Sequence, residues 1–258
     1  MISDSWYSHF PLFPCNDGHK FPENSDCSLI YGIFNRYGGV SPLPYDSLNL
    51  SFNAGDHPDN VRANRHKVKE ALAVDTLVSI GQVHGSEILV IGDEPEEDME
   101  IKGYDALITN VVGIALMIQL ADCQSIMVLD PVKKVVANIH CGWRGNVTDI
   151  IGKTINKITG CFRSQPSDLL VLISPSLGPC CAEFRNWRQE FPPAFYNYQV
   201  RPDYFDLWAI SRDQLCRAGV KLQNIHCSSI CTKCNSEWFS YRREGETGRF
   251  GTLIGLGK

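Results

Sequence analysis

Residues 114–145 read IALMIQLADCQSIMVLDPVKKVVANIHCGWRG, and this stretch decides the fold. Three apolar runs (residues 114–119, 125–129 and 135–139) are separated by the short polar turns Leu120-Ala-Asp-Cys-Gln124 and Asp130-Pro-Val-Lys-Lys134. Apolar runs this short, bounded by turn residues and rich in Ile and Val, predict strands rather than helices. Directly afterwards Ile150, Ile151, Thr154, Ile155 and Ile158 recur at helical spacing, so residues 146–158 read as a helix.

The same alternation extends outward in both directions. Residues 29–34, 77–82, 87–91 and 106–109 read as strands before it. Residues 169–174 form a near-continuous apolar run after it, as in a strand covered on both faces. Residues 59–73 read as a helix, capped by Asp59 or Asn60, with Val61, Val68, Ala71 and Leu72 on one face. Two further helices (about 182–191 and 206–218) and two closing strands (about 225–230 and 250–256) complete the chain. Strands and helices interleave without a break. The expectation is therefore a single α/β or α+β domain over residues 1–258, with mixed sheets.

Composition narrows the function classes. The chain carries 24 Lys+Arg against 29 Asp+Glu, a net charge of −5, with no long basic run, so nucleic acid is not an expected partner. The acidic stretch at residues 93–100 reads as a solvated loop. No segment approaches the ~20 apolar residues of a membrane span. The opening MISDSWYSHFPLFPC lacks a basic segment followed by an apolar one, so a cytoplasmic protein is expected. Its eleven cysteines are then expected as reduced, mostly buried thiols.

Three places look unlike packing. Gly81-Gln-Val-His84-Gly85, Leu120-Ala-Asp-Cys123-Gln124 and Ile139-His140-Cys-Gly-Trp-Arg-Gly145 each set a donor group at a strand end, where loops gather functional groups on a rigid scaffold. One thiolate and two imidazoles suit a single Zn²⁺, and three protein ligands leave a fourth position open, as in catalytic sites. The same donors match mononuclear copper, for which Met117 or Met127 could be the weak axial ligand. A second constellation, His226-Cys227 with Cys231-Thr-Lys-Cys234, could close a structural zinc site. Its ligands are bunched, however, and the chain is large enough to fold without metal. Cys180-Cys181 reads as a pair of buried thiols. Neither group is expected to bind the catalytic metal. The turn Arg36-Tyr-Gly-Gly-Val40 and the stretch Tyr241-Arg-Arg-Glu-Gly245 could supply cations and amides to an anion.

Taken in order, nine short motifs resemble the laccase-domain family, formerly called multicopper polyphenol oxidases and now regarded as purine nucleoside phosphorylases. They are Phe34-Asn-Arg-Tyr-Gly-Gly-Val-Ser41, Ser47-Leu-Asn-Leu50, Gln82-Val-His-Gly85, Asp105-Ala-Leu-Ile-Thr109, Ala121-Asp-Cys123, His140-Cys-Gly-Trp-Arg-Gly145, Gly178-Pro-Cys-Cys181, Cys231-Thr-Lys-Cys-Asn235 and Phe239-Ser-Tyr-Arg-Arg243. The resemblance implies a layered α+β sandwich of mixed sheets covered by helices, with one catalytic zinc on His84, Cys123 and His140. It also implies phosphorolysis of adenosine, inosine and 5'-methylthioadenosine, with some adenosine deamination. Purine nucleoside and phosphate are the expected partners of a monomer or homodimer. Arg36 and Arg144 are candidates to clamp phosphate; Asn49 and Gln82, from their motifs, are candidate substrate contacts. Asp122 is the candidate to orient a ligand or share a proton.

The chain departs from the family pattern at Cys141, usually Ala, which adds a second thiol beside a ligand. It departs again at Ala182, usually Tyr, which could widen the pocket. Two other enzyme classes use these residues. A laccase with blue and trinuclear copper needs more than the seven histidines present, two of which, His9 and His19, fall in an irregular N-terminal stretch; a single copper remains the alternative metal. A cysteine hydrolase with Cys123 as nucleophile and His140 as base, editing cell-wall precursors, is the other.

Overall fold

A computed structural model describes residues 7–8 and 28–257. His9 and His19 lie outside the described residues. The strands, in chain order, are β1 (Tyr7–Ser8), β2 (Ser28–Phe34), β3 (Thr76–Gly81), β4 (Ile88–Ile91), β5 (Met99–Lys102), β6 (Ala106–Thr109) and β7 (Ile114–Leu120). They continue as β8 (Gln124–Asp130), β9 (Val135–Cys141), β10 (Leu170–Ile173), β11 (Gln199–Arg201), β12 (Tyr204–Phe205), β13 (Ile225–Cys227) and β14 (Phe250–Gly257). The helices are α1 (Pro58–Leu72), α2 (Trp143–Val147), α3 (Ile150–Phe162), α4 (Trp187–Glu190), α5 (Leu207–Arg217) and α6 (Tyr241–Glu244).

Two mixed six-stranded sheets result, ordered β1-β2-β14-β7-β3-β5 and β13-β10-β8-β9-β6-β4. Period-two alternation along each strand builds the layers. On β7, Ile114, Leu116, Ile118 and Leu120 enter the core between the sheets, whereas Ala115 and Met117 face outward. On β8, Met127 and Leu129 face in, and Ile126 and Val128 face out. The outer face of the first sheet is covered by α1, whose Val68 packs with Phe34, Leu48 and Leu77. The outer face of the second is covered by α3 and α5 through Ile150, Ile151, Ile155, Ile158 and Leu215. Each fully buried Ile or Leu stabilises this α/β/β/α sandwich by about 1.5–3 kcal/mol. The layered α+β class expected from the motifs is the one found.

Because β7 ends in one sheet and β8 begins in the other, Ala121, Asp122 and Cys123 form a crossover between sheets rather than a hairpin turn. On β9, Val136 faces in while Val135, Ala137, Ile139 and Cys141 face α3. Alternation therefore turns Asn138 and His140 inward. Asn138 is fully buried. It donates from Nδ2 to Leu116 O and Thr252 O, each 3.0 Å away, and accepts from Ser125 Oγ at 2.6 Å. The clamp joins the two sheets through their middle.

Several expectations shift in detail. The cap of α1 is His57, whose Nδ1 accepts from the Asp59 N–H, with Pro58 in the first turn, so neither Asp59 nor Asn60 is the cap. The helix expected over residues 146–158 breaks at Asp149, whose φ of 54° and side-chain bond to the Gly152 N–H start α3 afresh. The helix expected near 182–191 shrinks to the single turn α4. Phe184 N–H bonds Asp203 O, and Glu183 bridges to Tyr204, holding the preceding chain extended. The acidic stretch is not wholly solvated: Asp98 accepts from Lys69 and the Leu77 N–H, and Glu100 pairs with buried Arg65 at 2.6 Å, drawing Met99–Lys102 into the sheet. Among the described residues no helix is long and apolar enough to cross a membrane.

Replacing Asn138 by Ala should leave two carbonyls without their inter-sheet donor and destabilise the fold by about 2–3 kcal/mol in urea unfolding. Val132→Ala, at an exposed turn, is the control and should change stability little. Equal stabilities for both variants would show that the clamp contributes nothing.

Candidate functional site

The site sits at the end of the sandwich where the chain passes between sheets. His84 follows β3, Cys123 lies in the crossover, and His140 is the last inward residue of β9. The structure brings these three together: their nearest ligand atoms all lie within 4.8 Å of one another. Cys123 Sγ is 3.8 Å from His84 Nε2, and the two imidazoles meet edge to face with centroids 4.8 Å apart. A side chain at Gly142 would place its Cβ 2.9 Å from Cys123 Sγ, so a glycine there keeps the space beside the thiol open.

Asp105, fully buried immediately before β6, organises the group. Its Oδ1 lies 2.8 Å from His140 Nδ1 and accepts from the His84 N–H at 2.9 Å; its Oδ2 accepts from the Gly85 N–H at 2.7 Å. Those bonds hold His84 in the left-handed region, φ 60°, and fix the proton of His140 on Nδ1, leaving Nε2 for the site. Burial alone would raise the Asp105 pKa, but the His140 hydrogen bond and charge, helped by the loop amides, hold the carboxyl below its usual range.

A thiolate–imidazolium pair follows. Burial opposes charge on Cys123, yet the charge of His140 and hydrogen bonds from both histidines lower its pKa to about 6. Burial likewise opposes charge on His140, while the Cys123 thiolate and Asp105 raise its pKa to about 9. A soft thiolate with two imidazoles, one already oriented by a carboxylate, fits a borderline cation such as Zn²⁺ by donor chemistry. Cys141 is not a competing ligand: it faces α3, and burial pushes its thiol well above the ordinary value. Met117 and Met127 are both core residues away from the cavity, so neither supplies the axial thioether of a blue-copper centre.

The group opens on a cavity of about 510 Å³. Arg144, Arg242 and Arg249 line it, with no carboxylate in ion-pair contact with any of them among the described residues. Arg144 stacks over Trp143 at 4.1 Å, and Arg249 Nη1 is braced on Thr247 O and Gly248 O. Phe184 and Tyr241 supply aromatic surface. Two lining amides, Gln119 and Gln124, are almost fully buried, and Gln119 Nε2 and Gln124 Oε1 have no partner among the described residues. Buried polar atoms are normally satisfied, and these two belong to residues that line the cavity, where a bound molecule or water can complete them.

The other expected site residues divide. Gln82 lines the cavity, its amide exchanging hydrogen bonds with the Gln119 backbone, and Arg144 lines it as well. Arg36 does not. Its guanidinium is committed to Asp46 and to Glu244, at 3.2 and 2.6 Å, so it anchors the glycine turn and is not placed to clamp an anion. Asn49 is fully buried outside the cavity, where it accepts from the Ser51 and Arg249 N–H groups and positions the Arg249 backbone. Asp122 borders the cavity, but its carboxylate accepts from Thr232 Oγ1, Ser240 Oγ and the Arg242 N–H at 2.6–2.7 Å. It therefore fixes the wall carrying Arg242, and the ligand-orienting part falls to Asp105. Ala182 is fully buried in the Phe184–Trp187–Phe205 cluster and does not widen the cavity. Sequence reasoning missed Asp105, Arg249, Gln119 and Gln124 as site residues; Asp105 stood inside a family motif and Gln124 at the end of the Leu120–Gln124 turn, each quoted for a neighbouring residue.

A family profile described as multi-copper polyphenol oxidoreductase laccase matches residues 30–257. The chain is 32% identical over 233 residues to a purine nucleoside phosphorylase of Streptomyces coelicolor, covering 88% of this chain and 95% of the relative. It is 32% identical over 236 residues to the purine nucleoside phosphorylase YfiH of Escherichia coli K12, covering 86% and 91%. Among solved structures it is similar to YlmD of Geobacillus stearothermophilus, with a TM-score of 0.81 and 30% identity over 89% of this chain and 92% of that one.

Asp105→Asn should weaken the hold on the His140 proton, raise the Cys123 pKa in metal-free protein and reduce zinc affinity by about 10–100-fold. In wild-type protein, zinc uptake at about pH 7.5 should release about one proton from the pair, since Cys123 is already ionised and His140 is not yet deprotonated. Thiolate absorbance and calorimetry in buffers of different ionisation heat measure both. An unchanged thiol titration in Asp105→Asn would refute this electrostatic account.

Proposed function

This chain belongs to the multi-copper polyphenol oxidoreductase laccase family, and from that premise we propose that it is a zinc-dependent purine nucleoside phosphorylase. Adenosine, inosine and 5'-methylthioadenosine are the proposed substrates, phosphate is the acceptor, and the cytoplasm is the proposed compartment. One observation carries the reading: three arginines without carboxylate partners and two unpaired buried amide atoms, among the described residues, share one cavity with His84, Cys123 and His140.

The chemistry asks for this combination. A phosphate oxygen attacks C1′ of the ribose as the bond from C1′ to the purine nitrogen breaks, and the bonding electrons leave with the base. Products are ribose 1-phosphate (5-methylthioribose 1-phosphate from 5'-methylthioadenosine) and free purine, the proton of hydrogenphosphate ending on the purine nitrogen. Arg144, Arg242 and Arg249 would hold the multiply charged nucleophile and orient it toward the sugar, with charge-assisted hydrogen bonds stronger than neutral ones. Gln119 Nε2 can donate to, and Gln124 Oε1 can accept from, the nucleoside, while Phe184 and Tyr241 offer faces for the purine. A zinc ion on His84, Cys123 and His140 would supply Lewis-acid character at the floor of the cavity. Adenosine deamination is proposed as a side reaction of the same cavity, reported separately by ammonia release.

A second reading has its own observation. Asp105, His140 and Cys123 stand in the order orienting acid, base and ionised thiol, the arrangement of cysteine hydrolases. Such an enzyme would pass through a thioester on Cys123, which mass spectrometry of a quenched reaction detects.

The phosphorylase reading predicts that inosine gives hypoxanthine and ribose 1-phosphate only when phosphate is supplied. Arg249→Met should raise the KM for phosphate by about 10-fold or more. Gln119→Leu should instead raise the KM for nucleoside by about 5–20-fold. Release of hypoxanthine at the same rate without phosphate would identify a hydrolase and overturn the proposal.

A further inference from the structure

Outside the cavity floor the fold assembles a second donor group from distant parts of the chain. Cys180 and Cys181, in the loop after β10, meet Cys231 and Cys234, in the turn before α6, and all four sulfur atoms lie within 4.8 Å of one another. His226 and Cys227 take no part, being held in β13 beside β10. The closed site imagined from the C-terminal residues alone is thus not the one the fold builds. Nor are Cys180 and Cys181 buried core thiols: Cys180 is exposed and Cys181 half-buried.

We propose that Cys180, Cys181, Cys231 and Cys234 form a second metal site, which takes one Zn²⁺ as a closed tetrathiolate. Zinc–sulfur bonds of about 2.3 Å at tetrahedral angles require sulfur–sulfur edges of about 3.8 Å. Cys234 Sγ lies 3.6 Å from Cys180 Sγ and 3.4 Å from Cys181 Sγ, close to that edge and far from a disulfide bond. Cys234 approaches both partners almost equally, so no one pair is singled out for oxidation. All four are free thiols.

The surroundings suit a charged sulfur cluster. The Gly178 N–H points at Cys231 Sγ from 3.3 Å, and the Cys234 N–H also bonds that sulfur. Backbone donors of this kind orient thiolate ligands and offset their charge. A Cβ on residue 178 would lie 3.0 Å from Cys231 Cβ and 2.8 Å from Trp208, so only a glycine lets this loop come so close. Arg201 donates to Cys180 O at 2.8 Å and Arg242 to Cys181 O at 3.3 Å, placing two cations beside a cluster that would carry net negative charge.

Four protein ligands leave no position for substrate, so the ion is structural. It would tie the residue 178–181 loop to the residue 231–234 turn, and this junction backs the cavity. Thr232, between two of the ligands, donates to Asp122, and the Leu177 N–H bonds Asp122 O. The wall bearing Leu177 and Arg242 would then depend on an ion that never meets the substrate.

Protein purified with reductant and without chelator should contain two zinc ions per chain by plasma mass spectrometry. The double variant His84→Ala/Cys123→Ser, which dismantles the cavity site, should keep one. Grown with cobalt in place of zinc, that variant should show the intense visible bands and sulfur-to-metal charge transfer of tetrahedral four-sulfur coordination. Adding Cys234→Ser should abolish both. A folded double variant, judged by circular dichroism, that holds neither zinc nor a cobalt–thiolate spectrum would overturn the proposal. So would a disulfide among the four cysteines in protein isolated without oxygen and alkylated before digestion.

Discussion

A fully buried carboxylate, Asp105, is the constraint on which the candidate site depends. Burying an ionised acid costs several kcal/mol unless hydrogen bonds and an opposite charge replace the lost water. Here the replacement comes from the His140 ring and the amides of His84 and Gly85, so one side chain fixes ligands contributed by different sheets. The pKa of Asp105 lies below its ordinary value of 3.8, so this stabilisation is present above about pH 4 and is lost as acid protonates the carboxyl. At neutral pH, removing the negative charge by substitution would lower the His140 pKa and so weaken the charge that holds Cys123 as a thiolate. Geometry and charge state at the site thus have one origin.

The sandwich explains why that origin is where it is. Inward positions of β7 are apolar throughout, whereas β9 carries Asn138 at its middle and His140 near its end on the same face, and Cys123 occupies the crossover. Polar groups at these inward positions are tolerated because each has a defined partner. Asn138 satisfies carbonyls of the facing sheet, and His140 satisfies Asp105. Further along, at the cavity, Gln119 and Gln124 break the pattern by leaving amide atoms unpaired among the described residues.

Much of this was legible in the chain. The runs 106–109, 114–119, 125–129 and 135–139 declare strands by apolar content and turn residues, and the His–Cys–His donors declare themselves by type and by falling at strand ends. The rest was hidden because it depends on pairings distant in sequence. Arg36 reads as a free cation beside a glycine turn, yet Glu244, far along the chain, neutralises it. Asp105 reads as the flank of a strand, because nothing local shows that His140 will lie against it. Asp122 sits beside Cys123 in sequence but spends its carboxylate on Thr232, Ser240 and Arg242. Likewise Cys231 and Cys234 find their partners at Cys180 and Cys181, not at the adjacent Cys227.

The ionised Cys123 beside His140 serves either as a metal ligand or as a nucleophile, and the choice separates the phosphorylase from the thiol hydrolase. The most direct measurement is nucleoside turnover by protein stripped of metal at the cavity site and then titrated with zinc, with its fold checked throughout. The account predicts that turnover vanishes in the stripped protein and returns in proportion to zinc bound by His84, Cys123 and His140. Full turnover by folded, metal-free protein, lost when Cys123 is alkylated, would contradict it.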